Sequence, residues 1–229
     1  MRRILKLRAI VALGLGAAML GATGFAQAAT ILFSDSFDDE TPALSTTPGG
    51  WTTHDGNVDL IGRDSPIHDF YDVLPGNGVY VDMVGTDGNS GLGAIRTNQT
   101  FTFDPGVTYN LSYSLAGSQR GQYENNRPNS IEVVIYGTDG FILAQHTLGS
   151  AAAFQLFSQD FTVQSQRTGM QILFRSSCPT GNEYPTCNDN QGLLLDNVSL
   201  TAVPLPAAAW LLLSGLAGFG FVARRRTAA

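Results

Sequence analysis

The sequence predicts an all-β sandwich over residues 29–202, lying between an N-terminal secretion signal and a C-terminal membrane segment. Three observations support this fold class: apolar and polar residues alternate along many short stretches, turn residues separate those stretches, and no amphipathic helix lies between them. The chain has 229 residues, of which 43% are apolar and 14% charged. This composition is sufficient for one domain with a hydrophobic core.

The alternation is clearest over residues 107–115, where every odd position is apolar and every even position is polar. Such a period of two predicts a half-buried antiparallel strand. Similar patterns predict nine further strands, at residues 31–37, 57–61, 79–84, 95–103, 131–136, 141–147, 154–163, 170–174 and 193–200. Turn residues lie between them, and the turn at 137–140 is predicted to close a short hairpin. Trp51 is predicted to be part of the core.

Residues 1–28 have the pattern of a secretory signal peptide. A basic start precedes an apolar run at 9–20, and Ala26, Gln27 and Ala28 form a small-residue cleavage site. We therefore expect the mature protein to begin near Ala29. An uncleaved membrane anchor is the alternative interpretation of this segment.

Export would place the domain in an oxidising compartment, where disulfides form. The chain has two cysteines, Cys178 and Cys187, in a stretch rich in turn residues. We predict a disulfide between them that closes this loop. A metal or redox pair is the alternative, although catalytic pairs usually have Cys-x-x-Cys spacing.

The C-terminus combines a Pro-containing motif, an uncharged apolar stretch at 207–223 and a final basic cluster. The motif is Val203, Pro204, Leu205 and Pro206, and the basic residues are Arg224, Arg225 and Arg226. The apolar stretch is long enough for one transmembrane helix, and the arginines would keep its end on the cytoplasmic side. A permanent single-span anchor is one interpretation of this tail.

In its order of parts, this tail resembles the PEP-CTERM sorting signal of Gram-negative bacteria, in a variant without the glutamate of Pro-Glu-Pro. The resemblance implies export, a transient stay in the inner membrane and processing by an exosortase-type enzyme. It also implies delivery to the cell envelope, the cell surface or the extracellular polysaccharide.

Four stretches of the central region resemble the galactose-binding-like jelly rolls, in particular the DUF642-type and family 4/9 carbohydrate-binding modules. The matching stretches are residues 34–38 (Ser-Asp-Ser-Phe-Asp), 77–83, 103–109 and the closing 195–200 (Leu-Asp-Asn-Val-Ser-Leu). The resemblance implies a jelly-roll winding for residues 29–202 and a polysaccharide as the binding partner.

Asp196 is a candidate metal ligand, because its alternation with Val198 and Leu200 predicts that it points toward the apolar face. A buried carboxylate needs a cation or several hydrogen-bond donors. In the modules that the chain resembles, the matching aspartate and an acid on the first strand bind structural calcium, which makes Asp35 and Asp38 the partners here. The alternative is that Asp196 accepts backbone N–H bonds in a terminal bulge.

Two loops, at residues 63–72 and 118–127, are rich in the side chains that recognise sugars. An aromatic ring can pack against the C–H face of a sugar, while amides and guanidinium groups bind its hydroxyls. Solvated loop tips are the alternative. The candidate ligand-binding residues are Arg120, Gln122, Tyr123, Arg127 and Tyr71.

Charge argues against a nucleic-acid partner. Between residues 29 and 203 there are six arginines, no lysine and nineteen acidic residues, a net formal charge of −13. This charge excludes sequence-independent binding to nucleic acid or to anionic lipid.

Catalytic motifs are missing from the sequence, since the three histidines lack metal-binding spacing and no nucleophile elbow or phosphate-binding loop occurs. The sequence therefore predicts a non-catalytic exported envelope protein that binds polysaccharide. Two other functions stay open: a structural or adhesive matrix protein without a defined glycan site, and a polysaccharide hydrolase with a pair of carboxylates.

Overall fold

The computed structural model describes residues 29–63, 72–86, 92–120, 128–177 and 192–203. All of them belong to one compact unit, Gln27–Leu205. Within these ranges, no helix is both long and apolar enough to cross a membrane. Several residues for which the sequence predicts a role lie outside the described ranges. They are those of the signal peptide, the cysteines Cys178 and Cys187, and the candidate ligand-binding residues Tyr71, Gln122, Tyr123 and Arg127. The tail from Pro204 onward, with Leu205, Pro206, Arg224, Arg225 and Arg226, also lies outside them.

Twelve strands form in the described part of the chain. They are β1 (Thr30–Asp35), β2 (Trp51–Asp55), β3 (Asp59–Gly62), β4 (Val79–Asp82), β5 (Ala94–Thr97), β6 (Phe101–Phe103), β7 (Thr108–Ala116), β8 (Asn129–Tyr136), β9 (Phe141–Leu148), β10 (Gln155–Phe161), β11 (Arg167–Ser177) and β12 (Leu194–Val203).

The strands form two six-stranded antiparallel sheets. In the first sheet the order is β10-β7-β12-β4-β3, with β1 also paired to β12. In the second sheet it is β2-β5-β11-β8-β9, with β6 also paired to β11. The predicted all-β sandwich is therefore confirmed.

Aromatic side chains connect the two sheets. Tyr113 of β7 and Phe174 of β11 meet edge to face with ring centroids 5.2 Å apart, and the Phe33 ring of β1 lies 5.5 Å from that of Trp51 on β2. Trp51 is 4% exposed, which confirms its predicted place in the core. Such aromatic pairs add to the free energy gained from burying their large apolar surface.

Each of the ten predicted strands overlaps an observed one, and two details differ. The predicted strand at 95–103 is interrupted, because the Asn98 N–H bonds to the Gly50 carbonyl at 2.8 Å between β5 and β6. Strand β2 was not predicted, since Trp51 is its only large apolar residue. The hairpin turn is confirmed, with the Gly140 N–H donating to the Gly137 carbonyl at 3.0 Å.

The outer face of the first sheet carries a second apolar cluster, formed by Ile61, Tyr80, Ala116 and Leu194. Val73, Leu74 and Phe154 pack against it. The Leu74 N–H donates to the Tyr80 hydroxyl at 2.9 Å, so the segment before β4 is attached over this face. The first sheet is therefore covered at this point by its own chain.

Candidate functional site

The outer face of the second sheet carries a group of polar and aromatic side chains from four strands. On β8, the core residues Ile131, Val133 and Ile135 alternate with Glu132 and Tyr136. Because successive side chains of a strand point to opposite faces, Glu132 and Tyr136 lie on the outer side.

Strand β11 continues this face. Ile172 and Phe174 belong to the core, so Gln171, Leu173 and Arg175 lie on the outer side. Leu173 is only 2% exposed there. Its register neighbours are Arg96 on β5 and Val134 on β8, and the long side chains around it keep water from it.

Two rings meet across this face. The His54 and Tyr136 ring centroids lie 4.9 Å apart at an interplanar angle of 64°. Their strands, β2 and β8, are separated by β5 and β11, which corresponds to about 14 Å between backbones in a flat sheet. The two side chains therefore lean toward each other over the intervening strands.

Arg96 packs on the same tyrosine, with its guanidinium carbon 5.4 Å from the Tyr136 ring centroid. This distance is within the range of a cation–π interaction. We refer to His54, Arg96, Glu132, Tyr136, Gln171 and Arg175 as the outer-face platform.

An ion pair forms the other half of the platform. The Arg175 Nε–H donates to Glu132 Oε2 at 3.1 Å, and Gln145 donates to Glu132 Oε1 at 2.7 Å. The hydrogen bonds from Arg175 lower the pKa of the Glu132 carboxyl. Glu132 is therefore a fixed anion that partly neutralises Arg175.

This set of groups has the composition of a sugar-binding surface: aromatic rings, a guanidinium fork, amides and a carboxylate. None of these residues was predicted from the sequence to bind a ligand. Tyr136 could have been recognised from the sequence as a candidate, because it is a large aromatic residue on the polar side of an alternating strand. Its proximity to His54 and Arg96 depends on sheet order, which is not a local property of the sequence.

Arg120 is the one predicted ligand-binding residue in the described ranges, and its guanidinium is turned inward. Its Nη1 donates to Asp82 Oδ2 at 2.5 Å, with the two side chains 7% and 0% exposed. Burial raises the pKa of Asp82 to about 6 against the opposing effect of Arg120. Asp82 is therefore ionised at neutral pH, and Arg120 provides its counter-charge.

Asp82 also connects residues that flank three segments outside the described ranges. Its Oδ1 accepts the N–H of Val84 at 3.1 Å and that of Gly192 at 2.9 Å. Val84 precedes residues 87–91, Arg120 precedes 121–127, and Gly192 follows 178–191. The described ends of these three segments therefore meet at one end of the first sheet, where Asp82 holds them together.

The predicted metal ligands are close enough for their charges to interact. Burial raises the pKa of Asp196 to about 7, and the negative charges of Asp38 and Asp35 add to this shift. Asp196 is 3% exposed, as predicted. However, Asp196 pairs with Ser114, and the register of β12 shifts between Asp196 and Ser199. The regular alternation that predicted the same face for Asp196 and Val198 is therefore interrupted between them.

The three carboxylates already accept protein hydrogen bonds. Asp35 accepts from the Trp51 indole N–H at 2.7 Å, Asp38 from the Val79 N–H at 3.2 Å and Asp196 from the Asn197 N–H at 2.6 Å. Among the described residues, no three His, Cys, Asp or Glu side chains are arranged as a metal site. The oxygen donors suit calcium chemically, but they would have to turn away from these bonds to bind it.

Comparisons with known proteins give similarity in overall structure alone. No protein-family model matches the chain, and no curated protein matches it. The CBM22-1 xylan-binding domain from Paenibacillus barcinonensis is 14% identical, with a TM-score of 0.46, and the match covers 79% of this chain and 99% of that domain.

Two further solved structures have a similar degree of likeness. A Stig cyclase from Fischerella sp. TAU is 16% identical with a TM-score of 0.48, covering 77% of this chain and 99% of the cyclase. The K1 cleaved adhesin domain of Lys-gingipain from Porphyromonas gingivalis is 14% identical with a TM-score of 0.45, covering 73% and 96%.

Proposed function

We propose that this protein is a non-catalytic polysaccharide-binding protein of the cell envelope, with a jelly-roll domain that binds glycan on the outer-face platform. The observation that carries the proposal is the packing of His54 and Arg96 on Tyr136 across four strands. Neighbouring strands lie about 4.8 Å apart, so the five strands from β2 to β9 span about 19 Å. That width accommodates several sugar rings of one chain.

The chemistry of the platform supports a sugar ligand over an apolar one. Its rings offer apolar surface. On the same face Arg175 bonds to Glu132 and the Gln171 amide nitrogen donates to the Thr97 carbonyl, while the guanidinium and the amide each have further hydrogen-bonding atoms. Sugars present both kinds of surface, namely C–H faces and hydroxyls. The outer face of the first sheet is less suitable around Tyr80, because Leu74 and Phe154 cover it.

A glycan array probed with the purified full-length protein tests the proposal, combined with an assay for reducing ends. The proposal predicts hits that share one backbone or terminal sugar and no release of reducing ends. Binding to no glycan would favour the structural or adhesive matrix protein. Release of reducing ends from a bound glycan would identify a hydrolase.

Export and sorting form part of the proposal and rest on the two terminal segments. We propose that residues 1–28 direct export, and that the tail from Val203 holds the protein in the inner membrane until an exosortase-type enzyme processes it. Cell fractionation tests this by comparing the natural chain with a variant in which Arg224, Arg225 and Arg226 are changed to alanine. The natural protein is expected at the surface or in the medium, and the variant is expected to be retained or mislocalised.

Calcium is the proposed cofactor, with Asp196, Asp35 and Asp38 as its ligands. None of the three has an Arg or Lys partner among the described residues, and their mutual repulsion contributes to the raised pKa of Asp196. A divalent cation would remove this repulsion and join β1 to β12. Its role would be structural, since these residues are separate from the platform.

A further inference from the structure

The platform contains a cation that has no acidic partner among the described residues. Five of the six arginines of the central region lie in described ranges, and the ionic contacts of two are known: Arg120 with Asp82 and Arg175 with Glu132. Arg96 forms no ion pair with any described residue, and its buried Nε has no hydrogen-bond acceptor. Within the described ranges, its guanidinium packs on the Tyr136 ring.

The two acidic residues on the strands of the second sheet already accept other hydrogen bonds. Glu132 receives hydrogen bonds from Arg175 and Gln145. Asp55, at the end of β2, accepts the Gly56 N–H at 2.9 Å. Arg96 is therefore a positive charge on an outer face of a domain that is otherwise strongly acidic.

The surroundings hold this guanidinium in place. The Tyr136 ring lies against it, and His54 contacts that ring from β2. A guanidinium that is positioned before binding loses less conformational entropy when a ligand arrives. Its planar fork matches the two oxygens of a carboxylate.

We infer that Arg96 forms a subsite for the carboxylate of a uronic acid, so that the glycan bound by the platform is an acidic polysaccharide. This inference rests on the proposed function. A neutral glycan would be recognised through its hydroxyls, which neutral amide side chains can bind. Binding a neutral glycan over Arg96 would remove water from a charge that has no counter-charge, which costs free energy. A carboxylate on the ligand provides the missing counter-charge.

The test measures binding of the full-length protein to matched polymers by titration calorimetry, in a polyoxyethylene detergent that carries no sugar. The probes are glucuronoxylan, polygalacturonate and alginate, each beside its carboxyl-reduced form, with dextran sulfate as a polyanion control. We expect at least one acidic polymer to bind about tenfold tighter than its reduced form. Added salt screens both the attraction at Arg96 and the repulsion between the acidic domain and the polymer, so each acidic polymer is compared with its reduced form at one fixed ionic strength.

Variants assign the effect to the residue. Arg96→Gln should weaken binding of the acidic polymer about tenfold, and Arg96→Lys should recover part of the loss because it keeps the charge without the fork. Arg167→Gln is the matched control, since that arginine stacks on Phe141 elsewhere in the second sheet and should leave binding unchanged.

The outcomes separate the inference from the proposed function. Equal binding of acidic and reduced polymers would overturn the carboxylate subsite and leave glycan binding intact. Equally strong binding of dextran sulfate would overturn it too, because charge alone would then explain the preference. Binding of no polymer, acidic or neutral, on these probes and on the array would remove the proposed function together with the inference.

Discussion

The rings of His54 and Tyr136 lie 4.9 Å apart, although two strands separate the strands that carry them. The contact joins β2, at the edge of the second sheet, to β8 near its other side. It places an aromatic pair in the middle of an outer face on which Arg96, Gln171 and Arg175 also lie. The proposed binding surface is therefore assembled from segments up to about 120 residues apart in sequence.

Replacing His54 by alanine is expected to weaken glycan binding about three- to tenfold, because Tyr136 loses the ring that supports it. His54 is exposed, so the midpoint of thermal unfolding should stay nearly unchanged. Leu156→Ala is the control, since this exposed side chain lies on the first sheet. Equal loss of affinity in both variants would show that the effect is not specific to the platform.

Replacing Arg120 by alanine is expected to destabilise the protein by about 3–5 kcal/mol at pH 8, because Asp82 becomes a buried charge without a counter-charge. Burial raises the pKa of Asp82 from an ordinary 3.8 to about 6 in the folded protein. Between pH 6 and pH 4 the folded state therefore binds a proton that the unfolded chain does not, and lower pH favours folding through this group. The cost of Arg120→Ala should accordingly be smaller at pH 5.

Urea denaturation at pH 8 and pH 5 measures this difference. Arg167→Ala serves as a matched arginine deletion, and we expect it to cost less than about 1 kcal/mol at either pH. The explanation of the Asp82–Arg120 pair would be wrong if Arg120→Ala cost the same at both pH values.

Chelation tests the proposed calcium ion. If Asp196, Asp35 and Asp38 hold calcium, a chelator lowers the thermal midpoint of the natural protein, and Asp196→Asn abolishes that response. Without bound calcium, the chelator has no effect. In that case Asp196→Asn should raise the midpoint at pH 8, because an amide replaces a buried negative charge.

Two glycines that precede β4 form a matched pair for mutation. Gly76 and Gly78 both have a positive φ, of 92° and 75°, so alanine is strained at either position. A Cβ at Gly78 would lie 1.8 Å from Asp38 Oδ1, whereas one at Gly76 would have no atom within 4 Å. We expect Gly76→Ala to cost about 1 kcal/mol and Gly78→Ala clearly more, as measured by chemical denaturation.

The strands were predictable because the alternation of side chains is a local property. Residues 107–115 alternate in the sequence, and β7 shows the same alternation of core and half-buried residues. The exception was β2, where Thr52, Thr53 and His54 follow Trp51. Its strand conformation depends on pairing with β5, which a local pattern does not encode.

The orientation of Asp196 was not predictable, for a related reason. Asn197 has a φ of 51°, and the register of β12 shifts between Asp196 and Ser199. A bulge of this kind reverses the alternation that follows it. The sequence therefore indicated the burial of Asp196 correctly, while the parity argument behind that prediction was wrong.

The platform was not predictable, because it requires the order β2-β5-β11-β8. His54, Arg96 and Tyr136 belong to three separate stretches, and they come to one face through the pairing of β2 with β5 and the pairings of β11 with β5 and β8. The sequence instead pointed to loops rich in sugar-binding side chains. Of those candidates, the structure describes Arg120 and places it in a buried ion pair.

The most direct test of the account compares the affinity of a glycan identified on the array for the natural protein, Tyr136→Phe and Tyr136→Ala. The account predicts that Tyr136→Phe keeps most of the affinity, because the ring remains in contact with His54 and Arg96. Tyr136→Ala should lose at least about tenfold while the protein remains folded by circular dichroism. Equal affinities for all three proteins would contradict the assignment of glycan binding to the outer face of the second sheet.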